Sequence, residues 1–463
     1  MSSTEFRWQQ GELADVVITD LDDQGNGVGR VADRVVFVPE TVPGDRVQVR
    51  LTRVKPQYGY GKVQTLRVPA ADRVQPVCIV ADKCGGCQWQ HVAYDRQLGA
   101  KHNQVVQALQ RIGGIPNPPV EPILSAASPL GYRNKATYPL GQRSSPTQSD
   151  VVVAGYYQKG SHKLVNLNRC PAQDDRLNPL LAEVKQDIQH RGWTIYDEAC
   201  HRGQLRHLSL RIGRRTGELL LTLVSTEERL PGLTDQAEQW LQRYPNLVGV
   251  CLNHHPQRGN AVFGAVTNCV AGRGYLHERF AGLTLQIQPT TFFQVYTEQA
   301  EALLQTIVAQ LALQGHELLV DAYCGIGTFT LPLARQVKWA IGLEAQPESI
   351  DQARLNAQLN SITNVTFQAG SVESLLPTIA EIPDIVLLDP PRKGCSPAVL
   401  DWLLTQQPDR IVYISCKPAT LARDLQRLCV TNLYQLERVQ PADFFPQTTH
   451  VECAAFLRRS TSR

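Results

Sequence analysis

The run Ile411-Val412-Tyr413-Ile414-Ser415-Cys416-Lys417-Pro418 puts a cysteine just past an apolar, β-branched stretch. The thiolate, not the thiol, is the nucleophile, and a free cysteine titrates at about 8.5, so the neighbouring Lys417 is the obvious cation to favour ionisation. One reaction that needs such a group is substitution at carbon 5 of a uracil ring. That carbon is too poor a nucleophile to take a methyl group directly, but thiolate addition at carbon 6 makes the ring an enolate and carbon 5 reactive. A base must then remove the carbon 5 proton so that the thiolate can leave. Glu452, in the late strand-like run THVECAAFLRR, supplies a carboxylate for that step. Each residue also has a blander reading, since most strand-end cysteines are small buried hydrophobes and most glutamates are solvated.

The second constellation is Leu318-Leu319-Val320-Asp321-Ala322-Tyr323-Cys324-Gly325-Ile326-Gly327-Thr328-Phe329, a strand, a glycine turn and a helix start. Glycines there let a ligand approach the backbone closely. The third glycine of the dinucleotide fingerprint is missing, which disfavours a pyrophosphate. S-adenosylmethionine needs the same backbone access without a phosphate cradle. Glu344 ends the next strand roughly 20 residues on, where an acid can accept both ribose hydroxyls. Asp389-Pro390-Pro391-Arg392 follows a further strand; two prolines fix the turn and remove two donors, which leaves carbonyls for a ligand. Amino-group methylases carry an aromatic residue after such a turn, and Arg392 occupies that place here.

A third group, Cys78, Cys84 and Cys87, makes a Cys-x5-Cys-x2-Cys run with Gly85-Gly86 to wrap the loop tightly. Three thiolates are one ligand short of a tetrahedral or cubane site, and spacing alone leaves zinc and an iron–sulfur cluster equally open.

The elements that must position these groups fall into three stretches. Residues 1–69 read as short strands (around Val16–Ile18, Val35–Val38 and Val47–Leu51) with turn chemistry at Gly25-Asn26-Gly27 and Pro43-Gly44-Asp45. That pattern predicts an OB-like β-barrel. Arg46, Arg50, Arg53, Lys55, Lys62 and Arg67 interleave with Tyr58 and Tyr60, a pattern suited to phosphates and unpaired bases. Residues 70–290 carry the cysteine run, a helix over 95–112 stopped by Gly113-Gly114, and adjacent strands at Arg206–Arg211 and Leu219–Leu223, which predicts a central α/β domain. Residues 291–463 alternate helices with apolar strands ending at Asp321, Glu344, Gln368, Asp389 and Ser415. This is the pattern of a Rossmann-like, mainly parallel sheet, which binds ligands at the carboxyl ends of its strands.

With 463 residues, 43% hydrophobic and 19% charged, the composition is that of a globular α/β protein of two or three domains. No apolar run approaches the roughly 20 residues of a membrane span, and the N-terminal residues lack a secretory pattern. A cytoplasmic, membrane-free monomer is expected, with its 12 cysteines mostly reduced. A formal net charge of +3 permits a nucleic-acid partner without arguing for one.

The stretches FFQV, DAYCGIGTFTLPLA, DPPRKG, SCKPATLARDL and THVE resemble the motifs of the RNA uracil-5-methyltransferase family, and the resemblance covers essentially the whole chain. It implies a class I methyltransferase domain behind a TRAM-like RNA-binding barrel. It also implies Cys416 as nucleophile, Glu452 as proton acceptor, and Gln294, Tyr323, Glu344 and Asp389 around S-adenosylmethionine. Gly325, Thr328 and Ser371 complete the expected cofactor set. Cys170, in Asn168-Arg169-Cys170-Pro171, resembles the family's distant fourth ligand and turns the metal reading towards a [4Fe-4S] cluster held by Cys78, Cys84, Cys87 and Cys170. A cluster with a TRAM-like barrel favours 23S ribosomal RNA over transfer RNA as substrate. The rivals are an RNA cytosine-5-methyltransferase, which Cys395 does not fit because it lacks the Pro-Cys pair, and an RNA-binding iron–sulfur protein with a degenerate methylase domain.

Overall fold

The computed structural model describes residues 8–143 and 151–460. The chain opens with β1 (Leu13–Leu21), β2 (Gly27–Val31), β3 (Arg34–Val38), β4 (Arg46–Val54) and β5 (Tyr58–Val68). They close a barrel in the order β1-β2-β3-β5-β4. Alternation decides its two surfaces: Val16, Ile18, Val36, Val38, Val47, Val49 and Leu51 fill the inside, and the intervening polar residues face out.

The helix α1 (Tyr94–Arg111) follows, buried along one stripe by Gln97, Ala100, Lys101, Val105 and Leu109. It ends at Gly113, where a side chain would strike the Leu109 carbonyl at 2.6 Å. Its apolar stripe joins the C-terminal sheet, since Val105 and Leu109 share a core with Leu421, Leu425 and Leu428.

The central sheet comprises β6 (Lys135–Arg143), β7 (Val151–Tyr157), β8 (Leu164–Asn166), β9 (Leu205–Ile212), β10 (Leu219–Ser225), β11 (Leu247–His254) and β12 (Val266–Gly272). Its order is β12-β11-β10-β9-β6-β7-β8. The helices α2 (Asn178–Arg191) and α3 (Leu233–Arg243) pack on one face, against Leu208, Leu210, Leu221 and Leu223. A hairpin of β13 (Leu276–Phe280) and β14 (Leu283–Ile287) leads on to α4 (Thr297–Leu311).

The C-terminal sheet is built from β15 (Leu318–Ala322), β16 (Trp339–Glu344), β17 (Val365–Ala369), β18 (Ile385–Leu388), β19 (Arg410–Ser415), β20 (Tyr434–Ala442) and β21 (Glu452–Arg459). The interleaved helices are α5 (Thr330–Ala334), α6 (Pro347–Leu359), α7 (Val372–Leu375), α8 (Pro397–Gln406) and α9 (Pro418–Cys429). The strand order is β17-β16-β15-β18-β19-β21-β20. The first five strands are parallel and β21 runs antiparallel to both β19 and β20. Strand order reverses between β15 and β18, which opens a crevice at their carboxyl ends. The buried runs Ile385–Leu388 and Ile411–Ser415 are apolar without alternation because helices cover both faces.

Among the described residues no helix is long and apolar enough to cross a membrane.

Candidate active site

Cys416 follows the last residue of β19, two positions before α9 begins at Pro418. It therefore lies beside a helix N-terminus, where an anion is favoured. Ser415 pairs with Cys453 across β19 and β21. Because β21 is antiparallel, its first residue, Glu452, arrives at the carboxyl end of β19 and beside Cys416. Glu452 is 5% exposed, so the solvated reading of this glutamate fails.

The charges around the thiol oppose one another. Burial pushes Cys416 up to about 11, the Glu452 and Asp389 carboxylates push the same way, and the Arg392 guanidinium opposes them. Lys417 is exposed. The expectation that it activates the thiol is corrected: Arg392, in the turn after β18, is the cation that favours the thiolate. A side chain one residue beyond the nucleophile points away as the helix begins, whereas residue 392 comes from the neighbouring strand end. Glu452 is held well above the usual carboxylate range, first by burial and then by the Asp389 charge. A carboxylate so destabilised is a strong proton acceptor once ionised.

The crevice between β15 and β18 collects the other predicted residues. Tyr323 adopts a φ of +75°, unusual for a bulky side chain, with its N–H donating to the Leu343 carbonyl at 2.8 Å. This kink turns the chain out of β15 towards the crevice. Gly325 (φ +55°) has open space where a side chain would stand, which leaves its backbone accessible. Glu344 accepts from the N–H groups of Gly325 at 3.2 Å and Gln346 at 2.9 Å, so its carboxylate is fixed in direction at the end of β16. Asp389 is pushed up to about 7 by burial and by the Glu344 charge. Among the described residues Glu344 and Asp389 form no salt bridge, so the site gains from hydroxyl, ammonium or sulfonium groups of a ligand. The donor set fits S-adenosylmethionine.

Thr328 is buried in the turn that begins α5. Gln294 lies in the loop before α4, with its carbonyl held by Asn134, just before the central sheet, at 2.8 Å. Phe293 and Phe329 both pack edge-on against Phe280, which ties that loop to the glycine turn. Ser371 follows β17 and caps α7, its hydroxyl accepting from the Ser374 N–H at 3.3 Å.

Sequence reasoning missed a buried clamp under the catalytic strand. Lys101 and Asp443, both fully buried, form an ion pair at 2.6 Å. Tyr94 donates to the other Asp443 oxygen at 2.9 Å. Gln97 reaches the Gln447 side chain at 3.0 Å, and the Gln447 carbonyl accepts from the N–H groups of Gln88 and Trp89, each at 3.0 Å. The loop from β20 to Glu452 is therefore held by α1 and by the segment that follows Cys87. A lysine on the apolar stripe of α1 was the available signal. A second missed residue is Asp321, pushed up to about 8 by burial behind the glycine turn, where it accepts from the Thr330 hydroxyl at 2.5 Å.

Cys78, Cys84, Cys87 and Cys170 line one cavity together with Ala81, Leu167, Ala172, Tyr156 and Arg133. The chain brings the distant Cys170 to the three clustered cysteines, and the Arg133 guanidinium suits an anionic group there. Among the described residues, however, no three His, Cys, Asp or Glu side chains are arranged to hold a metal ion. The four expected iron–sulfur ligands thus share one cavity without a closed ligand sphere.

The chain is similar to known proteins over nearly its whole length. The family model described as tRNA (Uracil-5-)-methyltransferase matches residues 282–460, and that of the TRAM domain matches residues 7–64. An uncharacterised RNA methyltransferase of Nostoc sp. is 64% identical over 99% of each chain. One of Synechocystis sp. is 56% identical over 98% of each. The crystal structure of the Pyrococcus abyssi tRNA (uracil-54, C5)-methyltransferase in complex with S-adenosyl-L-homocysteine superposes with a TM-score of 0.76 at 26% identity, covering 96% of this chain and 100% of that one. A TRAM barrel joined to a parallel-sheet methyltransferase defines the class, and the chain belongs to the RNA (uracil-5-)-methyltransferase family. It is an RNA methyltransferase whose fold is that of S-adenosylmethionine-dependent enzymes.

Proposed function

We propose that this enzyme forms 5-methyluridine in ribosomal RNA through a covalent bond between Cys416 and uracil. One observation carries the reading: a thiol, a buried carboxyl and a guanidinium (Cys416, Glu452 and Arg392) meet at the strand end that adjoins the cofactor crevice. S-adenosylmethionine supplies an electrophilic methyl group, with Gln294, Tyr323, Gly325, Thr328, Glu344, Ser371 and Asp389 as its binding residues. Arg392 favours the Cys416 thiolate, which adds to carbon 6 of the uracil and places the negative charge on the ring. After carbon 5 is methylated, Glu452 takes the carbon 5 proton, and the electrons of that bond expel the thiolate. Barrel, central sheet and crevice together admit a base taken out of its stack.

The four cysteines around the shared cavity are proposed to hold a [4Fe-4S] cluster that positions RNA. Their convergence from two distant segments, beside Arg133, supports this over a purely packed core. Anaerobically purified protein is expected to be brown with about four irons per chain. One zinc per chain and no colour would overturn the cluster while leaving the methylation chemistry intact.

The covalent step is tested with RNA that carries 5-fluorouridine, since fluorine does not leave as a proton does. The wild type is expected to form a denaturation-resistant protein–RNA adduct at Cys416. An unlinked RNA together with normal turnover of ordinary substrate would rule the adduct out.

A further inference from the structure

The twelve cysteines were expected to be mostly reduced, and two of them stand opposite each other across an edge of the central sheet. The register of β11 and β12 pairs Cys251 directly with Cys269. Two residues further along, on the same face, Asn253 pairs with Thr267, and the Asn253 amide donates to the Thr267 hydroxyl at 2.8 Å. Side chains on this face therefore reach across the two strands. Directly opposed antiparallel residues hold their Cα atoms about 4.5–5.5 Å apart, within the range a disulfide spans. The Cys269 thiol donates to the Ala271 carbonyl at 3.6 Å and the Gly272 carbonyl at 3.5 Å, both on its own strand end. Cys251 is 1% exposed within the sheet, whereas Cys269 is exposed on the edge strand β12. One sulfur is thus open to reagents, and the other stands behind it.

We propose that Cys251 and Cys269 form a reversible cross-strand disulfide, with low-molecular-weight or protein disulfides as the oxidants. The exposed Cys269 loses its proton and attacks a sulfur of the oxidant R–S–S–R. A Cys269–S–S–R bond forms and one R–S⁻ leaves. The Cys251 thiol then gives up its proton and attacks the Cys269 sulfur, which closes the bond and expels the second R–S⁻. Two thiols are oxidised, one disulfide is reduced to two thiols, and the protons pass to the expelled thiolates. Reduction by an excess of dithiol reverses both steps. The bond pins the edge strand β12 to β11 and closes the segment between them, in which Phe263 lies 5.0 Å from the ammonium of Lys135. It uses none of the residues assigned to methyl transfer or to the four-cysteine cavity, so it stands independently of the function proposed above.

Trypsin resolves the pair, because cleavage after Arg243, Arg258 and Arg273 gives peptides 244–258 and 259–273 with one cysteine each. The full-length, anaerobically reduced protein is exposed to oxidised glutathione, alkylated, digested and analysed by mass spectrometry. The expected product is a cross-linked 244–258/259–273 species, lighter than the two reduced peptides by two hydrogens and abolished by dithiothreitol. In Cys251→Ser the same treatment is expected to leave a stable glutathione adduct on Cys269. A wild-type protein whose Cys269 stops at that adduct, or whose two cysteines both remain alkylated, would overturn the proposal.

Discussion

At the scale of residues, the site depends on how burial and charge bias a thiol and two carboxyls. Cys416→Ala is expected to lower methylation by at least about a thousandfold while leaving S-adenosylmethionine affinity nearly unchanged, since the proposed bond of the sulfur is to the base and not to the donor. Titration calorimetry beside a methyl-transfer assay separates the two. Glu452→Gln is expected to leave methylated RNA bonded to Cys416, because an amide cannot take the carbon 5 proton. Free product released at the wild-type rate would remove Glu452 from the role. Burial pushes the thiol up to about 11, so its thiolate fraction is expected to grow about tenfold per pH unit below that value. Trapping of 5-fluorouridine RNA is therefore expected to accelerate from pH 7 to 9, and a flat profile would contradict a thiol with this pKa as the attacking group. The sequence singled out Cys416 and Glu452 by their motifs, and the fold sets them side by side. Arg392 escaped that reading as a neighbour of the thiol, because it approaches from another strand and only the fold brings it in.

At the scale of elements, what was legible depended on how local the signal was. The apolar runs from Leu318 to Ser415 and the helical spacing over 94–111 are signals that one segment carries alone. The antiparallel β21 that delivers Glu452, and the clamp from α1 to Asp443, depend on contacts between distant segments and left only an odd buried lysine as a trace. Removing one partner of that clamp strands a buried charge. Lys101→Met is expected to cost about 3–5 kcal/mol in denaturant unfolding, and Lys101→Met with Asp443→Leu is expected to recover much of it. Equal losses in the single and double variants would mean that packing, not charge, governs the clamp. Asp321 offers a pH test. Its folded pKa of about 8 lies above the unfolded value of 3.8, so the folded state keeps a proton that the unfolded state has lost. Stability contributed below pH 3.8 is then lost as pH rises towards 8, by about 1.4 kcal/mol per unit. Asp321→Asn is expected to flatten the pH dependence of the melting temperature between pH 5 and 8.

At the scale of the whole molecule, the chain joins three units: a barrel with an aromatic, cationic surface, a central sheet preceded by Asn134, which steadies the Gln294 loop, and the parallel sheet whose β19 leads into Cys416. On the barrel, Phe37, Tyr58 and Tyr60 form a cluster with ring centroids 5.5–6.1 Å apart, beside the cations the sequence singled out. The methyltransferase class follows from the motifs and the fold, whereas the identity of the RNA depends on a surface whose shape no local pattern encodes. The most direct measurement is quantitative mass spectrometry of nucleosides, with site mapping, on ribosomal and transfer RNA from cells lacking the gene. These cells are complemented with either the wild-type protein or Cys416→Ala. The account predicts that one 5-methyluridine signal in 23S ribosomal RNA disappears, returns with the wild type and stays absent with Cys416→Ala. Unchanged 5-methyluridine in the deletion, or restoration by Cys416→Ala, would contradict it.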